Sequence, residues 1–466
     1  MEIRLLGNSS LEHIENRIKI VAGAGKLSRF KGNVFEVLSS CNDYEKNLNL
    51  IKRIIKMGHK SIIEHDYLVF ALVDVSPIVE QTIIGNRLTS FTIKSRREVD
   101  FRSVGYYIPD FRNIDGKIHL KNDELKAKYK NHMKYLFDEY GYFADSDINV
   151  EDARFVLPYS YHSNIIMGMD ARELEKLVIS LKYGKLSKIA ELKELGEKLI
   201  AEITVKVPYL METINNYEDK TKEFFDFNNY KNEIDLDINI LSKPKLISYT
   251  HDCDNEILTS YLMGIYQCDK AIAQSILKDL SYKNKDFNDN LMKYIVTKNE
   301  NRELEQVNFQ FQIPISLAIL THLTRHRTQS LITPDFIPLW DMENYIIPPS
   351  IKKFDAKRYK KIFETNIKMF NYFKEQKVMD EDLIYFYLSG HMCNVLTTMN
   401  GRTLEWICKM RCCNKAQWQI RNIMNEIAKQ IEKVAPIYGK YLGSSCKTTG
   451  ECPEGTESCK NKINTR

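Results

Sequence analysis

Arg325-His326-Arg327 places two guanidinium groups and one imidazole within three residues. Arginine binds phosphate through two parallel hydrogen bonds and stays charged at physiological pH, so this tripeptide has the chemistry to hold an anion. It also follows an apolar run that is expected to be helical, and basic side chains suit the partial negative charge at the end of a helix. For an isolated tripeptide the charge cap is the favoured interpretation, and an anion site is the alternative.

Ser90, Ser95 and Arg97 form a second group, in which hydroxyl and guanidinium groups lie close together in the sequence. This pattern suits a phosphate or a carbonyl-rich base, and the plain alternative is an exposed basic strand at the edge of a sheet. Arg154 lies among apolar residues and is expected to point inward, where it needs an anionic partner. For Arg154 an internal salt bridge is favoured over a ligand on this feature alone.

Arg402 and Arg411 lie on one stretch whose apolar residues recur at helical spacing. Arg411 can bind an anion there, or it can extend over the surface with its charged end in water. Cys446, Cys452 and Cys459 are spaced more widely than the cysteine pairs of structural zinc sites, and no histidine lies near them. We therefore expect no metal site in this cysteine-containing tail.

The composition is that of a globular protein, with 43% hydrophobic and 28% charged residues and a net charge of +5 over 466 residues. So small an excess of positive charge argues against nucleic acid or a membrane surface as a partner. The first residues lack a signal-peptide pattern, and no apolar run approaches the roughly 18 residues of a membrane span. Ten cysteines are sparse for a disulfide scaffold, so the sequence predicts a cytoplasmic protein with reduced thiols.

Similar segments recur in the same order on both sides of the polar stretch 217–245. In each half a strand-like alternation is followed by proline, Pro77 in the first and Pro314 in the second. Proline suits the first turn of a helix, so a helix is predicted to begin at each of these prolines. The two helices are predicted to end near residues 85–87 and 325–327.

The later parts of the two halves also correspond. Asp170-Ala171-Arg172 matches Asn400-Gly401-Arg402, and a long helix is predicted to follow from Ala190 and from Ala416. Strands in such a helical setting indicate an α+β domain, and the repetition indicates that it is present twice. The predicted organisation is a first domain 1–216, a linker 217–245, a second domain 246–440 and a cysteine-containing tail 441–466.

The order of these motifs resembles one family, the flavin-dependent thymidylate synthases. The family motif Gly-His-x-Ser/Thr-x-x-Glu-His matches residues 58–65, and Arg-His-Arg, Asn-x-Arg and Ala-Gln-x-x-Ile-Arg match 325–327, 400–402 and 416–421. The resemblance implies an α+β fold with two copies of a thymidylate-synthase-complementing-type domain. Each copy is expected to be a mostly antiparallel sheet flanked by helices.

The two copies keep different parts of the family pattern. The first has Gly85-Asn86-Arg87 in place of Arg-His-Arg, and it has Leu181 where the second has Arg411. The second copy departs at the places where the first keeps its serine and arginines, with Asp335, Ile337 and Ile384. Because the losses are complementary, we expect one composite site per chain, with nucleotide-binding residues from the first copy and flavin-binding residues from the second.

The resemblance implies a role for each retained residue. Arg411 is expected at the ionised edge of a uracil, and Ser95 as a donor near the reacting base; these are the expected catalytic residues. The expected substrate-binding residues are Ser90, Ser95, Arg97, Arg154, His322, Arg325 and Arg411. The expected cofactor-binding residues are Ser61, Glu64, Arg325, His326, Arg327, Asn400 and Arg402.

The reaction that the resemblance implies is the methylation of dUMP to dTMP, with methylenetetrahydrofolate as carbon donor, reduced FAD as hydride donor and NADPH as reductant. A homodimer would imitate the family's homotetramer. Two alternatives stay open. The chain can be a non-catalytic homologue that binds nucleotide or flavin, or an enzyme that acts on a different pyrimidine nucleotide.

Overall fold

The computed structural model describes residues 1–8, 14–218, 239–334, 336 and 342–459. Most of the predicted linker 217–245 lies outside the described residues, and so do Asp335, Ile337 and the last residues of the tail. The strands are β1 (Glu2–Asn8), β2 (Tyr67–Val75), β3 (Ser90–Ile93), β4 (Ser163–Asp170), β5 (Lys245–Tyr249), β6 (Asn308–Ser316), β7 (Ser330–Ile332) and β8 (Met392–Asn400).

Helices account for most of the remaining described chain. Those before residue 219 are α1 (Ile14–Leu27), α2 (Val34–Ser39), α3 (Tyr44–Lys56), α4 (Pro77–Gly85), α5 (Asn122–Ala144), α6 (Val150–Ala153), α7 (Ala171–Lys182), α8 (Ala190–Ile203) and α9 (Met211–Asn215). Those after residue 238 are α10 (Cys253–Tyr266), α11 (Lys270–Lys283), α12 (Phe287–Thr297), α13 (Leu317–Thr324), α14 (Pro349–Glu375), α15 (Asp380–Leu383), α16 (Gly401–Arg411), α17 (Trp418–Val434), α18 (Pro436–Gly439) and α19 (Ser445–Thr448). Of the helices that the structure describes, none has the length and hydropathy that crossing a membrane requires.

The chain divides into two compact units, and each unit is built from three separate segments of the sequence. The first unit comprises residues 1–237, 336–343 and 347–389, and the second comprises 238–335, 344–346 and 390–466. The first unit therefore includes α14 and α15 from the second repeat. The predicted domain boundaries stay a prediction, since a spatial unit need not be a continuous segment.

The first unit contains a four-stranded sheet in the order β1-β2-β4-β3, and each neighbouring pair is antiparallel. Leu68, Phe70 and Leu72 on β2 are fully buried, whereas the residues between them are partly exposed. That period of two is the pattern of a strand with one face on a hydrophobic core. Helices α4 and α8 pack against this sheet.

The second unit repeats this sheet. Its strand order is β5-β6-β8-β7, again antiparallel throughout, and β6 pairs with β8 without interruption from Asn308 opposite Asn400 to Ser316 opposite Met392. The apolar face of α17 is also buried as its helical spacing predicted, with Ile420, Ile427 and Ile431 at 0% exposure. The predicted α+β fold, present twice, is confirmed.

The two prolines that follow the strands have different positions in the fold. Pro77 is the first residue of α4, as predicted. Pro314 lies inside β6, and the following helix α13 begins only at Leu317, so the prediction of a helix from Pro314 is wrong. Strand β5 begins opposite Gln312, so β6 has no β5 residue opposite Pro314. Proline has no N–H to donate, so it is tolerated at a strand position that pairs with a neighbouring strand on a single side.

The first unit contains a local two-fold arrangement of matching segments from the two repeats. Pro158 and Leu388 face each other in an antiparallel bridge. Around it the Tyr159 N–H donates to the Tyr387 carbonyl at 2.6 Å, and the Ser389 N–H donates to the Leu157 carbonyl at 2.9 Å. Equivalent residues thus exchange equivalent bonds across this point, as expected for a fused pair of similar domains.

A buried ion pair anchors α1 to the segment that precedes β2. Arg17 and Asp66 are both at most 2% exposed, and the guanidinium donates to both carboxylate oxygens at 2.9 and 2.5 Å. The Tyr209 hydroxyl donates to the same carboxylate at 2.6 Å, and Arg17 also donates to the Lys206 carbonyl at 2.8 Å. All of these charges are satisfied inside the protein, which is what makes the burial of both groups tolerable.

Glu191 at the start of α8 is a fully buried carboxyl group that lies among neutral donors. It accepts from the Ser76 N–H at 2.9 Å, from the Ser76 hydroxyl at 2.5 Å and from the Tyr385 hydroxyl at 3.0 Å. Burial raises the pKa of Glu191 to about 7, although these hydrogen bonds act in the opposite direction. The matching residue of the second repeat is the uncharged Gln417.

Glu191→Gln is expected to stabilise the protein increasingly as pH rises above about 4.5. Because the folded state raises this pKa above the ordinary 4.5, wild-type stability is lost as pH rises from about 4.5 through 7. The gain from the substitution should therefore be near zero at pH 4.5 and reach roughly 2–3 kcal/mol at pH 8. Urea unfolding at both pH values measures it, with the exposed Glu197→Gln on the same helix as control. A gain independent of pH would contradict the prediction.

Candidate active site

The Arg325-His326-Arg327 tripeptide follows directly after α13, which ends at Thr324. The His326 ring is buried at 7% exposure, whereas Arg325 and Arg327 are exposed on either side of it. Arg411, the last residue of α16, donates from its Nε to the Nε2 of His326 at 3.0 Å. The second unit therefore brings two cationic side chains, those of Arg325 and Arg411, close to one imidazole.

His326 is neutral in this setting. Burial, followed by the positive charges of Arg411 and Arg325, lowers its pKa to about 3. A neutral imidazole has one nitrogen that accepts, and here the acceptor is the Nε2 that faces Arg411. His326 thus fixes the orientation of the Arg411 guanidinium without neutralising its charge. Arg411 is half-buried and held, so the alternative of a side chain extended over the surface is wrong.

Asn400 and Arg402 hold the first turn of α16. The Asn400 side chain accepts from the Thr403 N–H at 2.8 Å and so caps the helix. Arg402 forms an ion pair with Glu305 at 2.7 Å. The Thr403 hydroxyl donates to the hydroxyl of Thr328, one residue after the tripeptide, at 3.1 Å. These contacts place the start of α16 beside the tripeptide.

In the first unit, the start of α7 corresponds to the start of α16 in the second. Asp170 caps α7 by accepting from the N–H groups of Arg172 and Glu173 at 2.9 and 3.0 Å. Arg172 forms an ion pair with Glu64, the counterpart of the pair between Arg402 and Glu305. The sequence did not single out Glu305, although its alignment with Glu64 was a usable signal.

Arg97 and Ser95 lie together in the first unit. The Nε of Arg97 forms an ion pair with Glu151 of α6 at 2.7 Å, and a terminal nitrogen donates to the second carboxylate oxygen at 3.3 Å. The Ser95 hydroxyl accepts from the Arg97 N–H at 3.3 Å. Both side chains are half-buried, so they are accessible and also held in place.

Arg154 is buried at 2% exposure, as its apolar neighbours predicted. Its Nε donates to the Glu151 carbonyl at 3.0 Å, but within the described part of the chain it forms no ion pair, and one terminal nitrogen has no hydrogen-bond partner. The favoured interpretation of an internal salt bridge stays a prediction. Burial, followed by the charge of Arg96, lowers the pKa of Arg154 to about 9, although the charges of Glu151 and Asp152 act in the opposite direction. The guanidinium stays charged at pH 7, so its unbonded terminal nitrogen is a donor that suits an anion.

Arg96 is a residue of this cluster that sequence reasoning did not assign. It is 5% exposed, forms an ion pair with the buried Glu80 at 3.2 Å and donates to the Tyr161 hydroxyl. The alternative of an exposed basic strand edge is therefore wrong for Arg96. Its position between Ser95 and Arg97 was visible in the sequence, but its burial was not, since the partners come from distant segments.

Three other predicted site residues, Ser90, Ser61 and His322, lie at other positions in the fold. Ser90 is exposed at the first position of β3, and Ser61 is exposed in the short 3₁₀ turn Lys60–His65. His322 is buried on α13, one turn before the tripeptide. Two clusters therefore carry the candidate chemistry, one in each unit, and these three residues stay predictions.

The sequence was compared with models of known protein families. The model of the family described as "Thymidylate synthase complementing protein" matches residues 11–209 and, a second time, residues 245–437. The chain belongs to this family. The two matches also confirm the predicted tandem duplication, because each covers one repeat.

Similar proteins carry the name that the motif order suggested. The flavin-dependent thymidylate synthase of Clostridium tetani (strain Massachusetts / E88) is 32% identical over 240 residues, which cover 47% of this chain and 92% of that protein. The flavin-dependent thymidylate synthase of Saccharolobus solfataricus is 28% identical over 210 residues, which cover 43% of this chain and 77% of that protein. The resemblance to the flavin-dependent thymidylate synthases is therefore confirmed, and the chain belongs to an enzyme family.

A solved structure with a similar fold is the flavin-dependent thymidylate synthase of Helicobacter pylori, complexed with FAD and dUMP. It is 20% identical and covers 46% of this chain and 99% of that chain, with a TM-score of 0.35. A likeness this distant carries no conclusion about the present chain, whose family membership follows from the sequence matches.

Proposed function

We propose that the chain is a flavin-dependent enzyme that methylates dUMP to dTMP, with methylenetetrahydrofolate as carbon donor, reduced FAD as hydride donor and NADPH as reductant. The observation that carries this proposal is Arg154. A buried guanidinium nitrogen that has no hydrogen-bond partner among the described residues is costly, and an anionic ligand that accepts from it reduces that cost. The family's nucleotide carries such an anion in its phosphate.

Arg97 and Arg154 are proposed to hold the nucleotide phosphate. Both lie beside Glu151, Arg97 through its carboxylate and Arg154 through the backbone carbonyl, so the two guanidiniums have a common support. Charge-assisted bonds from arginine fix both the position and the rotation of a phosphate. Ser95 lies next to Arg97 and is proposed as a hydrogen-bond donor near the base, not as a covalent nucleophile.

Arg411 is proposed to stabilise negative charge on the uracil ring. Its guanidinium is oriented by the neutral His326, and an imidazole, unlike a carboxylate, does not neutralise its charge. A fixed positive group that faces developing charge in a site with little water is an effective form of catalysis. His326 is accordingly proposed as a positioning residue.

The tripeptide fits a flavin nucleotide. Arg325 and Arg327 are exposed and separated by one residue, so two guanidiniums can approach one pyrophosphate, and Asn400 and Arg402 hold the helix start beside them. When bound, FAD supplies the hydride, so the protein needs no nucleophile. The proposed flavin-binding residues are Ser61, Glu64, Arg325, His326, Arg327, Asn400 and Arg402.

Each working site is proposed to combine residues of both repeats. The first repeat supplies the nucleotide-binding Ser95, Arg97 and Arg154, and the second supplies most of the flavin-binding residues, namely Arg325, His326, Arg327, Asn400 and Arg402. The support is the complementary loss of family residues, with Ile384 at the place of Arg154 and Leu181 at the place of Arg411. The proposed assembly is a homodimer whose four domains correspond to four family subunits.

Purification and an anaerobic assay test the proposed function. We expect a yellow protein with flavin absorbance that forms dTMP from dUMP, methylenetetrahydrofolate and NADPH, and that does not act on dCMP. A colourless protein that binds neither FAD nor dUMP would contradict the proposal and favour the non-catalytic alternative. Turnover of dCMP without turnover of dUMP would identify a different pyrimidine substrate.

Arg411→Ala is expected to lower kcat by about 10²- to 10³-fold, the effect of removing one donor aimed at developing negative charge. Flavin absorbance should stay unchanged, because the flavin-binding residues are intact. Steady-state kinetics together with the flavin spectrum separate the two quantities. A kcat within a few-fold of wild type would show that Arg411 has no such role.

A further inference from the structure

Gln329 is a buried amide side chain to which the proposed function assigns no role. It lies two residues after the tripeptide 325–327, in the loop between α13 and β7, and is 5% exposed. Its amide nitrogen donates to the Leu323 carbonyl at 2.6 Å, and its amide oxygen accepts from the Thr397 hydroxyl at 2.7 Å. Since a carbonyl accepts and a hydroxyl can donate, these two partners fix the orientation of the amide group.

The bond to Leu323 closes the loop that carries the tripeptide. Leu323 lies in the last turn of α13 and Gln329 directly precedes β7, so the Gln329 side chain completes a ring of residues 323–329. The bond to Thr397 attaches this ring to β8, an inner strand of the sheet, where Thr397 is fully buried. Buried hydrogen bonds are costly to break, so the backbone of the tripeptide is held in one conformation.

The loop has the same backbone hydrogen bonds in both repeats. In the second repeat, His326 and Gln329 donate their N–H groups to the carbonyls three residues before them, at 3.1 and 3.3 Å. In the first repeat, Asn86 and Thr89 do the same at 3.1 and 3.2 Å. The backbone of this loop therefore forms whether or not the tripeptide is present.

The side chains that attach the loop to the sheet differ between the repeats. Thr89 takes the place of Gln329, and Met167 takes the place of Thr397 at the matching position of β4. Methionine has no hydroxyl to donate, so the bond to Thr397 has no counterpart at Met167. The repeat that lacks Arg-His-Arg thus also lacks this attachment, although its loop folds. Folding of the loop is therefore not a sufficient reason for the Gln329 bonds.

We propose that Gln329 is a positioning residue for the flavin: bonded to Leu323 and Thr397, it holds the tripeptide in its binding conformation before the cofactor arrives. This deepens the proposed function and rests on it for the identity of the ligand, whose pyrophosphate Arg325 and Arg327 are proposed to bind. A loop that is already ordered loses little conformational entropy on binding, which raises the affinity for the ligand.

The first test is the dissociation constant of FAD, measured by flavin fluorescence titration of the full chain after copurified flavin has been removed. Gln329→Met keeps the length of the side chain without its amide, and Thr397→Val keeps the shape of threonine without its hydroxyl. We expect Gln329→Met to raise the constant roughly tenfold, the order of effect of leaving one buried polar group without its partner. Thr397→Val should raise it in the same direction, and Thr397→Ser should stay near wild type.

The double variant Gln329→Met with Thr397→Val tests whether the two residues act together. Both substitutions remove the same interaction, so the double variant should bind FAD no more weakly than Gln329→Met alone. Multiplication of the two separate effects would mean that the residues act independently, which would overturn the proposal.

Thr398→Val is the matched control for Thr397→Val. Thr398 lies next to Thr397 on β8 with its side chain on the other face of the sheet, where its hydroxyl accepts from the Gln310 amide nitrogen at 3.4 Å. This substitution removes a Gln–Thr bond from the same strand but leaves the loop attached, so the constant should change by less than about twofold. Equal weakening by Thr398→Val and Thr397→Val would show a general effect on the sheet and overturn the proposal.

Amide hydrogen exchange measures the order of the loop directly. Without FAD, the amides of residues 324–330 should exchange roughly tenfold faster in Gln329→Met than in wild type, while those of β8 keep their rates. Unchanged exchange in the loop would overturn the proposal. Should Gln329→Met fail to fold, Thr397→Val compared with Thr397→Ser gives the same contrast.

Failure of this inference is distinguishable from failure of the proposed function. Wild-type turnover of dUMP with an unchanged FAD constant in Gln329→Met would remove the inference and leave the function. Absence of wild-type turnover, with FAD bound by the wild type and bound more weakly by Gln329→Met, would remove the function and support the role of Gln329. A wild-type protein that does not bind FAD would overturn both.

Discussion

Arg97→Ala and Arg327→Ala are each expected to abolish turnover, although the two residues lie in different repeats. Arg97→Ala should raise the KM for dUMP by about 100-fold or more, because truncating a charged hydrogen-bond partner costs roughly 2–5 kcal/mol. Arg327→Ala should instead reduce the amount of flavin that copurifies, since its guanidinium is proposed to hold the cofactor. Steady-state kinetics and flavin content per chain measure the two effects separately.

Arg87→Ala is the matched control for Arg327→Ala. Arg87 is the corresponding residue of the first repeat, and it is exposed like Arg327. Its own repeat has lost the rest of the tripeptide, so the substitution should change activity by less than about twofold, the range of most surface substitutions. Equal damage from Arg87→Ala and Arg327→Ala would mean that both repeats supply flavin-binding arginines, which contradicts a site divided between them.

Asp66→Ala is expected to destabilise the fold by roughly 3–5 kcal/mol, because it leaves the Arg17 guanidinium buried without its counter-ion. The Tyr209 hydroxyl loses its acceptor in the same substitution. Urea unfolding at pH 7 measures the change in the free energy of unfolding.

The double variant Arg17→Met with Asp66→Leu is the control for this prediction. Replacing both charges by apolar side chains leaves no buried charge unpaired, and it should recover most of the lost stability. If the double variant were as unstable as Asp66→Ala, packing and not charge would explain the loss.

The fold class could be predicted because the longest elements carry clear periodicity. Strand β6 and helix α17 lie where the pattern placed them, except that β6 continues through Pro314 to Ser316. The edge strands β1, β3, β5 and β7 were not predicted. They are 3 to 7 residues long, and β5 and β7 have largely exposed side chains. Such strands show no clear alternation in the sequence, because they form by hydrogen bonding to a neighbouring strand.

The candidate site could be predicted in its residue types but not in its contacts. The motif order singled out Arg154, and the structure adds that one of its buried terminal nitrogens has no hydrogen-bond partner among the described residues. Glu80, Glu151 and Tyr161 were not predicted, since their importance comes from meeting an arginine that is distant in the chain. Pro314 was misplaced because proline after an apolar alternation fits a helix start and a strand with one free side equally well.

The membership of the first compact unit has a consequence for expressing the repeats separately. That unit takes residues 347–389 from the second repeat, with α14 among them. Because α14 packs against α5 in this unit, a first repeat cut off within the polar stretch would leave the surface of α5 that α14 covers exposed to water.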